Sequence, residues 1–196
     1  TESTASRVAA QDSLITALQV EITSLRQSLW ETELRVGVAE ADRSAAETIL
    51  TRKQAREEAV EAVRASLTAD EADIVLTGRN EIVMRVFGLS FDVGSASLSA
   101  GQEPLLDKLV AAVELFPGTT VRVEGHTDDT GSRDANLRLS RRRAEAVARL
   151  MEIKLGNPEG TIPTEGFGPD RPIGPNSTAE GRAKNRRIDV VISESP

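Results

Sequence analysis

In the stretch Gly125-His126-Thr127-Asp128-Asp129-Thr130-Gly131, Asp128 places a fixed negative charge in a loop bounded by glycines, and Arg143 places a positive one further along the chain. Asn136, Ser140 and Arg143 are spaced by four and three residues, so on a helix they share one face. The alternation Val121-Arg122-Val123 predicts a strand running into the loop, and an amphipathic pattern predicts a helix running out of it. Ligands of open α/β sheets bind at such carboxyl ends of strands. A helix amino terminus adds free N–H groups and a positive dipole end, which suit a carboxylate. Opposite charges with a polar amide between them suit a zwitterion that carries both an ammonium and a carboxylate.

Other chemistries lack their parts. His126-Thr127-Asp128-Asp129 could ligate a metal, but the chain has one histidine and no cysteine, which leaves a transition metal without its usual ligands. A carboxylate-only calcium site needs more converging oxygens than the loop offers, so no metal is expected, and His126 is expected to pack or hydrogen-bond at the strand end. No serine is placed beside that histidine by a nucleophile motif, and Asp128 and Asp129 are sequence neighbours that need not converge on a substrate. The glycines match no phosphate-binding fingerprint. Non-catalytic binding without a cofactor is the reading that remains.

The elements that must position these residues fall into two parts, with a change of pattern at residue 70. Residues 1–70 read as a helical, possibly coiled-coil, segment: from Ser6 to Leu67 there is no proline and only Gly37. Ile15, Leu18, Ile22, Leu25, Leu29, Thr32, Val36 and Ala39 make a heptad seam, which degrades beyond Arg43. Such a stripe needs cover, and a second copy, the segment's own second half and another protein are all candidates. The alternative is a spacer whose seam is solvated.

Residues 71–196 predict an α+β two-layer sandwich of order βαβαβ with an extra strand or hairpin. Ile74-Val75-Leu76 and Ile82 to Phe87 read as strands around a turn, and Gln102 to Phe116 as a helix stopped by Pro117-Gly118. A helix from Asp134 to Leu155, a strand within Thr161 to Gly168, a stiff loop with Pro169, Pro172 and Pro175, and a closing strand from Ile188 to Ile192 follow.

The loop, Asn136, the run Leu139-Ser140-Arg141-Arg142-Arg143-Ala144 and Gly181-Arg182-Ala183-Lys184-Asn185-Arg186-Arg187 together resemble the OmpA-like peptidoglycan-binding domain family. This family includes outer-membrane porin tails, peptidoglycan-associated lipoproteins and flagellar stator proteins. The resemblance runs from about Asn80 to Ile192, in the expected order. It implies that Asp128 and Arg143 hold the zwitterionic end of diaminopimelate in the peptidoglycan stem peptide, that Thr130 and Asn136 line the pocket, and that Thr127, Arg186 and Arg187 support it. For the cluster Arg182, Asn185, Arg186 and Arg187, a solvated charge run is the equally weighted alternative. Leu89 to Gly94 resembles the family's phenylalanine–aspartate step, but Val93 stands where some relatives carry asparagine. The implied role is tethering an envelope component to the wall in the periplasm, in association with the outer membrane of a Gram-negative bacterium. The alternative is an envelope scaffold whose domain no longer binds the wall.

Composition limits the partners. Hydrophobic residues make up 39% but aromatics only 3%, so aliphatic side chains must build the core. A net charge of −7, shared by both parts, opposes nucleic-acid binding, which needs a clustered positive field. No apolar run approaches the roughly 20 residues of a membrane span. The chain begins at Thr1 without a signal-peptide pattern, which reads as processing or trimming, with any membrane anchor outside this chain.

Overall fold

The computed structural model describes residues 2–91, 95–99 and 101–194, so the expectation attached to Val93 lies outside the described residues. The chain divides into two compact units, Thr1–Gln54 and Ala55–Pro196. Helix α1 (Glu2–Ser66) accounts for the first unit and continues into the second. Its sequence holds no proline, and its threonines bond back to carbonyls one turn earlier, as Thr16 does to Asp12, Thr23 to Gln19 and Thr32 to Ser28. Every residue of the first unit whose burial is described is exposed, including the seam residues Ile15, Leu18, Ile22, Leu25 and Leu29. No helix among the described residues is long and apolar enough to cross a membrane.

The second unit is a five-stranded mixed sheet with helices packed on one face. In chain order it comprises β1 (Ala72–Leu76), β2 (Ile82–Val86), α2 (Glu103–Glu114), β3 (Thr119–His126), α3 (Arg133–Leu155), β4 (Thr164–Gly168), α4 (Ala179–Asn185) and β5 (Ile188–Glu194). The spatial order is β1-β2-β5-β3-β4. All neighbours are antiparallel except β3 and β4, the parallel pair joined through α3. Strands β2, β3 and β4 alternate with α2 and α3 as the expected βαβαβ run, to which β1 adds a hairpin partner and β5 a closing strand. Helix α4, by contrast, is too short and too polar to announce itself in the sequence.

Strand alternation sorts the two faces. Ile74, Ile82, Met84, Val86, Val123, Ile188, Val190 and Ile192 face the core, where they meet Leu106 and Leu109 of α2 and Ala144, Val147 and Met151 of α3. The last turns of α1 join them: Ala59, Val60 and Val63 are buried, and Leu67 follows. The compact unit therefore starts at Ala55, earlier than the change of sequence pattern at residue 70. Val60 and Leu67 continue the register of the heptad seam but are buried in the core of this unit. Arg56 adds polar contacts, from its guanidinium to the Asn80 carbonyl and, at 3.1 Å, to Glu194.

A fragment spanning residues 55–196 should thus unfold in urea with the midpoint of the full chain's folded unit. A fragment spanning 71–196 removes Val60, Val63 and Leu67 from the core, at about 1.5–3 kcal/mol for each large side chain. It should unfold at markedly lower urea or fail to fold; equal midpoints would show that the α1 turns contribute nothing.

Candidate functional site

The candidate loop is positioned by a close backbone approach. A Cβ on Gly125 of β3 would lie 2.0 Å from the Ser140 carbonyl oxygen, and one on Gly166 of β4 would lie 2.3 Å from the Arg141 nitrogen. Glycine at both positions lets α3 lie directly against the two parallel strands. Ser140, fully buried, donates from its hydroxyl to the Leu137 carbonyl and accepts from the Gly168 N–H at 2.9 Å. The loop's entry is fixed by His126 N–H to the Arg187 carbonyl (3.0 Å) and Thr127 N–H to the Gly168 carbonyl (2.9 Å). Ser132 caps α3, its hydroxyl accepting from the Ala135 N–H.

Asp128 is buried, and its two oxygens have separate partners. Oδ1 accepts from the Thr130 N–H at 3.0 Å, and Oδ2 accepts from Arg186 Nη1 at 2.7 Å. Burial pushes the Asp128 pKa up, but the Arg186 guanidinium and the Thr130 N–H outweigh it and hold the carboxyl below its ordinary value. Asn136, also buried, donates its amide to the carbonyls of Asp128 and Thr130 at 3.3 and 3.0 Å. Its visible work is holding the loop, while Thr130 itself is exposed. The Thr127 hydroxyl is buried with no hydrogen-bond partner among the described residues.

Arg143 does not pair with Asp128, as an internal ion pair between loop and helix would require. Its Nε donates to the Ser95 carbonyl at 3.1 Å, and its guanidinium lies 4.7 Å from the centre of the Phe91 ring. No carboxylate pairs with it among the described residues. Burial and the nearby charge of Arg186 push its pKa down, and Asp128 offsets part of that shift. Arg143 and Arg186 both line a cleft of about 540 Å³, together with Asp70, Phe91, Glu180 and Lys184.

The other members of the cluster, Asn185, Arg182 and Arg187, each have their own partners. Asn185 is fully buried and clamps the proline loop, accepting from the N–H groups of Ile173 and Gly174 and donating to Gly174 and Asn176. Arg182 donates to the Asn176 carbonyl at 2.8 Å. Arg187 pairs with Asp189 at 3.0 Å on the face of the sheet opposite the core. There Glu124, His126 and Asp189 bring potential ligand atoms within 4.8 Å of one another. Arg122 and Arg171 hold Glu124 at 2.7 and 3.5 Å, so a divalent cation would have to displace guanidiniums from both carboxylates. His126 is buried, stacks on Phe167 at 5.5 Å and lies 3.3 Å from Asp189 Oδ2. This network was legible only as period-two pairs, Arg122/Glu124 and Arg187/Asp189. Glu152, another buried acid, had no such signal; it accepts from the Ile162 and Gly160 N–H groups at 2.7 and 3.1 Å.

A family model described as the OmpA family matches residues 90–186, the span that holds Asp128, Thr130, Asn136, Arg143 and Arg186. A solved structure, the cell wall anchor of the T6SS from Pseudomonas aeruginosa, superposes with a TM-score of 0.56 at 30% identity, covering 65% of this chain and 90% of that one. The chain belongs to the OmpA family. Probable lipoprotein YiaD of Escherichia coli is 37% identical over 131 residues, 67% of this chain and 59% of that protein. Peptidoglycan-binding protein ArfA of Mycobacterium tuberculosis is 36% identical over 105 residues, 54% of this chain and 32% of that protein. The match thus spans 59% of the first of these OmpA-family relatives and about a third of the second. Their names describe a lipoprotein, a peptidoglycan-binding protein and a cell wall anchor.

The Asp128–Arg186 pair gives this OmpA-family site a pH signature. Because the folded carboxyl titrates below its ordinary 3.8, the pair's contribution is complete above that value and is lost as pH falls through the lower folded one. Carboxyl-carbon NMR should place the wild-type Asp128 midpoint below 3.8. In Arg186→Ala the burial is kept while the cation is lost, so the midpoint should rise; an unmoved midpoint would show that the pair does not form.

Proposed function

We propose that this protein binds peptidoglycan non-covalently through the diaminopimelate of the stem peptide and tethers an envelope component to the cell wall in the periplasm. One observation carries this reading: Arg143 is a half-buried cation, without a carboxylate partner among the described residues, that lines a cleft beside the Asp128–Arg186 pair. A ligand carboxylate there replaces lost hydration with charge-assisted hydrogen bonds, and the planar guanidinium favours a bidentate grip. Asp128 spends two of about four acceptor positions on Thr130 and Arg186, which leaves capacity for a ligand ammonium. Thr130, exposed at the loop, and Asn136, which holds that loop, complete the pocket. Thr127, Arg186 and Arg187 brace it.

The names of YiaD, ArfA and the T6SS anchor support a role at the envelope and the wall. Binding of a repeating polymer gains from multiplicity, and a second copy paired along α1 would raise retention without any new contact in the cleft.

Asp128→Ala and Arg143→Ala should each abolish retention on purified sacculi while circular dichroism stays that of the wild type. The loss exceeds that of a surface ion pair, because removing one partner strands the other in a partly desolvated site. Free meso-diaminopimelate should compete for retention, and lysine, which lacks the second carboxylate, should compete worse. Equal competition by the two would show that the second carboxylate of diaminopimelate is not recognised. Wild-type protein that washes off sacculi would leave an envelope scaffold as the better account.

A further inference from the structure

The exposed seam of α1 carries more than apolar side chains. With Ile15 taken as the first position of a heptad, Ile15, Ile22, Leu29 and Val36 occupy position a, and Leu18, Leu25, Thr32 and Ala39 occupy position d. All of these residues are exposed, Leu25 at 63%. β-Branched residues at a with leucine at d select two parallel strands over higher orders. Ile15, Ile22 and Val36 at a, with Leu18 and Leu25 at d, follow that choice.

The flanking charges specify an orientation. Glu21 and Arg35 fall at position g, and Arg26 and Glu40 fall five residues later at position e. Residues five apart on one helix lie about 140° apart, on opposite sides of the seam, so they cannot pair within a chain. Glu21 and Arg26 have no opposite charge three or four residues away, and none of the four forms an ion pair among the described residues. Position g facing position e five residues on is the pairing geometry of a parallel coiled coil. We propose that Ile15 to Ala39 of two copies of this chain pair in parallel and in register, with Glu21 facing Arg26, and Arg35 facing Glu40, of the second copy.

Both charge pairs occur twice by symmetry. An antiparallel pairing of the same layers retains Glu21 opposite Arg35 but sets Arg26 against its own copy and Asp12 against Glu40. It also places Ile15 over Ala39 and Ile22 over Thr32. The pairing ends at Ala39: the next a position is Arg43, which is taken by Glu47 of its own helix at 2.8 Å, and Asp42 would face Glu47 of the second copy. This pairing stands independently of wall binding.

Because the chain contains no cysteine, single introduced thiols report the register without background. In the full chain, Leu18→Cys and Ala39→Cys, both at d, should each oxidise to a self-cross-linked dimer. The unmodified chain should sediment at twice its monomer mass. Arg26→Glu with Arg35→Glu should weaken self-association roughly tenfold, and adding Glu21→Arg and Glu40→Arg should restore it. A monomer at high concentration, a threefold mass, or cross-linking only when the two cysteine variants are mixed would overturn the proposal. So would self-association that the charge reversals leave unchanged.

Discussion

The contact between the backbone of α3 and the two parallel strands beneath it sets the rest of the folded unit. Gly125 and Gly166 have no room for even a methyl group against Ser140 and Arg141. With α3 seated that closely, the buried Ser140 hydroxyl reaches the Gly168 N–H, and Asn136 one turn earlier reaches the carbonyls of the loop. Arg143, one turn later, then reaches the cleft. Interiors are packed too densely to absorb a helix displacement locally. A larger residue at either glycine would therefore shift the three polar side chains of that helix face together.

A second rule governs the charges. Each buried carboxylate is compensated by a fixed partner: Asp128 by Arg186, Asp189 by Arg187, Glu124 by Arg122 and Arg171, and Glu152 by backbone N–H groups. Compensation at this level is what makes burial of an ionised group tolerable. Arg143 departs from the rule, since its contacts are a carbonyl and an aromatic face. A half-buried guanidinium with no carboxylate partner among the described residues is a feature that stability alone does not account for.

How much of this was legible follows from the range of the forces involved. The strands, α2 and α3 were legible because apolar periodicity and stop signals act locally: Pro117-Gly118 ends α2, and Gly156 ends α3 with its backbone in the left-handed region, at φ 69°. The three–four spacing of Asn136, Ser140 and Arg143 was equally plain, as was their common face. The sequence did not reveal that Asp128 would face Arg186, because that pair spans 58 positions and depends on how the chain returns. Nor did it reveal that Asn136 would spend its amide on the loop. The start of the folded unit lay hidden for a similar reason: Ala59, Val60 and Val63 read as a fading helical seam until the sheet that covers them is in place.

The strand order also dictates when the molecule can become itself. β5, the last strand in the chain, lies between β2 and β3, with seven paired positions along β3 and five along β2. Before Ile188 to Glu194 arrives, the earlier strands form one hairpin and one parallel pair with no hydrogen bonds between them. Sheet closure pairs Ile82 with Ile192, and the entropy of closing so long a loop weighs on the folding rate. The sheet stays open until Ile188 to Glu194 is in place between its two neighbours. A sheet whose central strand follows both of its neighbours in sequence cannot lock before that strand has been supplied.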